Sequence, residues 1–98
     1  MDLLNLEKLQ IKEDGLNPCL VCKDGFRLSV QGDRGAYSKP RSKEVNIYGY
    51  DSMEIRGSEL LPQEFAQYQD GEGSRIYGYV PVEMIENLLA SHGGVKTK

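Results

Sequence analysis

The chain has 98 residues, 15 acidic and 12 basic, with a formal net charge of −3. That length bounds it to one small domain, 1–98, with a single core, and that charge argues against general nucleic-acid binding, whose footprint is a clearly basic face. No apolar run is long enough to span a bilayer, the start "MDLLNLEKLQ" lacks the basic and apolar regions of a secretory signal, and two cysteines are too few for a disulfide framework. A cytoplasmic protein with no membrane attachment is expected.

Along the chain, Asp2 is placed to cap a short helix to about Lys12, which "EDGLNP" ends with Gly and Pro. Its apolar residues Leu3, Leu4, Leu6, Leu9 and Ile11 cover more than half the wheel, a poor amphipathic pattern. Asp24-Gly25 makes a hairpin turn between Cys19–Lys23 and Phe26–Gln31. Phe26, Leu28 and Val30 alternate there with Arg27, Ser29 and Gln31, so one strand face is dry. Gly32–Ser42, "GDRGAYSKPRS", is a loop by composition and longer than most connections, and Pro40 argues against a central strand. "EVNIYGY" reads as the third strand.

A second helix is expected to start near Leu60–Pro62, with Leu61, Phe65 and Tyr68 on one face. "DGEGS" is a turn, and "RIYGYV" reads as the fourth strand. The clearest helix runs from Pro81 to just before Gly93. Val82, Met84, Ile85, Leu88 and Leu89 fall on one side of it, and Glu83, Glu86, Asn87 and Ala90 on the other. Residues 94–98 are expected to form a loose tail. The order α-β-β-β-α-β-α implies an α+β fold: a small antiparallel sheet of about four strands, with two or three helices packed mainly on one face. Parallel pairing of the third and fourth strands through the middle helix is the alternative.

The tetrapeptide Ile-Tyr-Gly-Tyr occurs twice, at Ile47–Tyr50 and Ile76–Tyr79. The flanks differ, so a duplicated unit is not expected. Two strands with the same face logic are. Paired in register, they would line one sheet face with Tyr48, Tyr50, Tyr77 and Tyr79, a second-rank binding surface.

Charge is unevenly placed. Lys23–Lys43 holds six basic and two acidic residues, whereas Glu44–Glu72 holds seven acidic ones and a single basic one, Arg56. The first-rank binding candidates are Arg34, Tyr37, Lys39, Arg41 and Lys43 in the long loop, with Arg27 beside it. Arginine offers a planar fork to phosphate or carboxylate, tyrosine a stacking face, and both are enriched at protein interfaces. A protein partner, an anionic ligand such as a nucleotide, a nucleic acid meeting the basic loop, and a plain solvated connector all fit that composition. The acidic 44–72 stretch reads as solvated surface or as a nucleic-acid mimic toward a basic partner.

Cys19-x-x-Cys22 is half of a zinc knuckle, but structural zinc takes four ligands and an ideal strand points these two side chains apart. Small strand residues are the simpler reading, and a zinc-bridged homodimer the alternative. His92, the single histidine, suits a helix C-terminus, and no hydrolase pattern surrounds it. No catalytic residue, metal site or cofactor is expected.

Three stretches, "CKDGFRLSVQG", "YSKPR" and "YGYVPVEMIENLLASHGG", resemble a family of small, largely uncharacterised proteins encoded by bacteriophages and prophages. The similarity runs from about Pro18 to Gly94. Relatives often read Tyr-Cys-Ser-Pro-Arg in the loop, where this chain has Ser38 and Lys39, which removes any thiol role there. The resemblance implies a non-enzymatic phage accessory protein that binds and inhibits or redirects a host macromolecule, with anti-defence and anti-CRISPR action as one such role. A nucleotide or anion sponge using the basic loop is the alternative.

Overall fold

A computed structural model of the chain describes residues 2–96. Strands β1 (Leu20–Val21), β2 (Arg27–Gln31), β3 (Ser52–Gly57) and β4 (Ile76–Pro81) form one antiparallel sheet in the order β1-β2-β3-β4. The helix α1 (Val82–Ser91) follows β4 directly, and 3-10 turns stand at Leu6–Lys8, Ile47–Gly49 and Gln63–Tyr68. This is the expected α+β architecture, with β3 and β4 antiparallel rather than parallel.

The alternation in β2 sets the two faces. Leu28 and Val30 are fully buried while Arg27 is exposed. Register carries the division across the sheet, because Val30 pairs with Ile55 and Ile55 with Tyr77. These residues join Met53, Val80, Ile85, Leu89, Phe65 and Leu6 in one hydrophobic cluster. The helix and the 3-10 turns therefore cover one face, and the row Arg27, Ser29, Arg56, Glu54, Ile76 and Gly78 looks the other way.

Two expected helices are 3-10 turns, for a reason visible in their spacing. Leu3, Leu6 and Leu9 are buried at intervals of three, the period of a 3-10 helix, while Leu4 is 64% exposed. Asn5, not Asp2, is the N-cap residue of the first turn. At Gln63–Tyr68 only Phe65 is buried, with Tyr68 three residues on half-buried against the same core. One anchored side chain is too little to hold the full face of an α-helix.

The third strand lies later than expected. "EVNIYGY" is not a strand, because the Asn46 side chain accepts the Tyr48 amide at 2.9 Å and starts a 3-10 turn. The strand is Ser52–Gly57, where Met53 and Ile55 alternate with Glu54 and Arg56. The four tyrosines of the repeated tetrapeptide therefore do not share a sheet face.

α1 begins after Pro81 and ends as expected, with Gly93 at φ 88° and the Gly93 and Gly94 amides bonded to Ala90 O and Leu89 O. Glu86 departs from its expected wet face and is 7% exposed. Its carboxylate accepts from the Asn5 amide (3.0 and 3.1 Å), the Leu6 amide (3.0 Å) and Asn5 Nδ2 (2.7 Å), which ties the first 3-10 turn to α1. The expected loose tail is paired through Lys96: Lys23 N–H bonds to Gly94 O, Lys96 N–H to Val21 O, and buried Val95 bonds Asn5 Oδ1. Residues 97 and 98 lie outside the described residues.

Candidate binding face

The Gly32–Ser42 loop is built rather than slack. Tyr50 is its stake. The phenol oxygen of this buried residue accepts the Glu44 amide (3.0 Å) and lies 2.8 Å from Gly32 O and 2.9 Å from Ser42 O, so it closes both ends of the loop. Gly32 lies flat under this ring, and a Cβ there would overlap it, 2.6 Å from Cζ. Within the loop, Asp33 Oδ1 accepts the Gly35 and Ala36 amides, and Lys39 pairs with Ser52. Burial pushes the Tyr50 phenol above its ordinary pKa.

This loop lays Tyr37 across the outer face of the sheet. The Tyr37 amide donates to Glu54 Oε1 at 3.0 Å, and its carbonyl accepts the Tyr79 amide at 2.8 Å. Its Cβ would stand 2.8 Å from any Cβ at residue 78, so the Tyr37 side chain can sit there only over glycine. The Tyr37 and Tyr79 ring centroids are 5.8 Å apart, and the Arg41 guanidinium carbon lies 5.8 Å from the Tyr37 centroid. Tyr37 is 41% exposed and Tyr79 45%.

Tyr79 also has φ 55°, the one positive-φ residue besides glycine among the described residues. It sits where the β3–β4 register shifts between Met53 and Ile55. Left-handed backbone is costly for a residue with a Cβ and recurs at functional sites. A bulge of this kind re-aims a side chain, and here it turns an aromatic ring toward water.

The other predicted site residues divide. Arg27 is exposed on the same outer face, whereas Arg34 and Lys39 are exposed in the loop. Lys43 is structural: its ammonium donates to Lys12 O and, at 2.8 Å, to Gly15 O. Tyr48 ties down the N-terminal segment, with its hydroxyl 2.5 Å from Glu7 Oε2 and accepting the Leu3 amide, and the Glu7 bond raises its pKa. Tyr77 is core, edge-on to Phe65 at 6.4 Å, with its hydroxyl accepting the Leu61 amide. Tyr50 and Tyr77 are thus buried supports rather than contact residues. Sequence reasoning missed Arg56 and Glu54 on this outer face. Their signal was the Met-Glu-Ile-Arg alternation, hidden inside an acidic count.

The two cysteines separate as well. Cys22 is fully buried with Sγ 3.8 Å from Leu89 O, and burial first, then Asp24, raises its thiol pKa. Cys19 is exposed, in a groove of about 790 Å³ along β1. Among the described residues no group of three or more His, Cys, Asp or Glu could hold a metal ion, and no helix there is long and apolar enough to cross a membrane. His92 latches α1 to the β1–β2 turn: Nδ1 lies 2.7 Å from Asp24 Oδ2, and the ring stacks on Phe26 at 3.8 Å. The Phe26 amide first, and then His92, hold the Asp24 carboxyl below its ordinary pKa.

No family model, no curated protein and no solved structure matches the chain.

Proposed function

We propose that the chain is a small, non-enzymatic accessory protein of a bacteriophage or prophage. It binds a host protein in the bacterial cytoplasm and inhibits or redirects it, an anti-defence role of which anti-CRISPR action is one form. The observation that carries the binding is the Arg41–Tyr37–Tyr79 cluster, exposed yet anchored through the Tyr37 backbone, whose amide donates to the Glu54 carboxylate on β3 and whose carbonyl accepts the Tyr79 amide on β4. Arginine and tyrosine dominate binding hot spots, and a preordered cluster loses little freedom on contact. The phage setting rests on the sequence resemblance.

Affinity capture from bacterial lysate tests the reading. The wild-type chain is expected to retain a protein that the Tyr37→Ala/Arg41→Ala/Tyr79→Ala variant loses. Equal recovery of every partner by both would refute it.

A second reading, a nucleotide or other anionic small ligand, is favoured by arginines that lack an ion-pair partner among the described residues. Thermal shift against nucleotides and cyclic dinucleotides tests it. A ligand bound only by the folded chain must raise the melting temperature, so no shift at millimolar concentration ends that reading.

A further inference from the structure

We infer that the outer face of the sheet receives an extended acidic protein segment, whose carboxylates meet Arg27, Arg56 and Arg41 while an apolar side chain between them rests on Tyr37 and Tyr79. The inference rests on the binding reading above and adds the chemistry of the partner.

Register supplies the geometry. Ser29 pairs with Arg56, so Arg27 and Arg56 are diagonal neighbours, about 7–8 Å apart at that kind of site. Arg56 pairs in turn with Ile76, and Gly78, under Tyr37, lies two residues further along β4. Two residues of a strand span about 7 Å. Arg27, Arg56 and the tyrosine pair therefore form a diagonal row across three strands, and Arg41 stands against Tyr37. Both steps are diagonal, about 7–8 Å, close to the ~7 Å repeat of same-side side chains in an extended peptide, so alternate residues of one segment meet successive stations of the row.

Charge complementarity selects the segment. Arg27, Arg41 and Arg56 are exposed, and among the described residues none has an acidic partner within ion-pair distance. Glu54, the one carboxylate among the outward residues of these strands, is already bonded to the Tyr37 amide. A guanidinium fork takes a carboxylate in two parallel hydrogen bonds. Single-stranded nucleic acid is the poorer fit. The chain carries a net charge of −3, whereas the footprint of a nucleic acid is a clearly basic face.

Amide chemical shifts of the isotope-labelled chain test this without a lysate, so failure here is separable from failure of the capture experiment. The probes are a nine-residue peptide alternating Glu with small residues around a central Leu, its Gln counterpart, and oligo(dT). The Glu peptide is expected to shift the Ser29, Arg56, Ile76 and Tyr79 amides. Arg27→Gln/Arg56→Gln is expected to weaken it at least about tenfold, Lys12→Gln, exposed outside this face, to leave it unchanged, and added salt to weaken it. Equal binding of the Gln peptide, shifts elsewhere or none, or tighter binding of oligo(dT) would each overturn the inference. Shifts on diluting the protein alone would overturn it too, by placing a second copy on the face.

Discussion

The same four residues, Ile-Tyr-Gly-Tyr, end a loop at 47–50 and build a strand at 76–79, and they bury opposite tyrosines. In the first copy Ile47 and Tyr50 are buried and Tyr48 is exposed. In the second, Tyr77 is buried and Tyr79 exposed. Neighbours outside the tetrapeptide decide. Asn46 caps the first copy into a 3-10 turn, while pairing of Tyr77 with Ile55 and of Val80 with Met53 stretches the second across a bulge. Strand propensity is a preference for a half-buried pleated surface, and only the second copy meets one.

Substitutions that separate the copies follow in falling order of expected effect. Tyr50→Ala deletes the stake of the loop and is expected to cost about 3–5 kcal/mol, the range for a buried aromatic, read as a fall in the urea midpoint. Tyr50→Phe should recover most of the packing but not the loop closure. Asn46→Ala removes the cap of the first copy and is expected to cost about 1 kcal/mol; no change in the urea midpoint would show that the turn is held by Ile47 and Tyr50 alone. Tyr79→Gly acts in the opposite direction. It relieves the left-handed backbone, and a net gain of about 0.5–1 kcal/mol is expected together with loss of captured partner. A loss of stability instead would make Tyr79 a structural residue.

The smallest effect is in alkali. The folded-state pKa values of Tyr48 and Tyr50 are both raised, Tyr48 by its bond to Glu7 and Tyr50 by burial. A raised value means stability that is fully present below the ordinary tyrosine pKa of about 10 and is lost as pH rises through the folded value. Wild type is therefore expected to lose stability above that pH more steeply than Tyr48→Phe, measured by urea melts at matched ionic strength. Parallel curves would count against the Glu7 bond.

Much of the sheet was legible from period and punctuation. Asp24-Gly25, the Phe26–Gln31 alternation and the Pro81–Gly93 helix limits each carried local physics that tertiary contacts left intact. β3 was missed because "EVNIYGY" offered stronger strand formers than "SMEIRG", and only Asn46 warned against it. The exposure of Tyr37 and Arg41 was legible from their place in a Gly-rich loop, and that of Arg27 from the alternation in β2; that of Tyr79 was not, because it follows from the bulge in β4. Lys43, Tyr48, Tyr50 and Tyr77 have the same composition but serve as supports. That distinction depends on which hydroxyl or ammonium meets a backbone group distant in sequence.

By itself, the sequence determined the α+β class, the hairpin and the final helix, because alternation, Gly-permitted turns and Pro/Gly limits act over a few residues. Tertiary structure alone decided the rest. It buried Glu86 against two amides some eighty positions away, and it stretched the second Ile-Tyr-Gly-Tyr across a bulge by pairing it with β3. It also gathered Tyr37, Arg41, Tyr79 and the unforeseen Arg56 on one sheet face. The physical reason is common to all three: a polar group's partner and a ring's neighbour are fixed by where distant segments pack, and no local pattern encodes that.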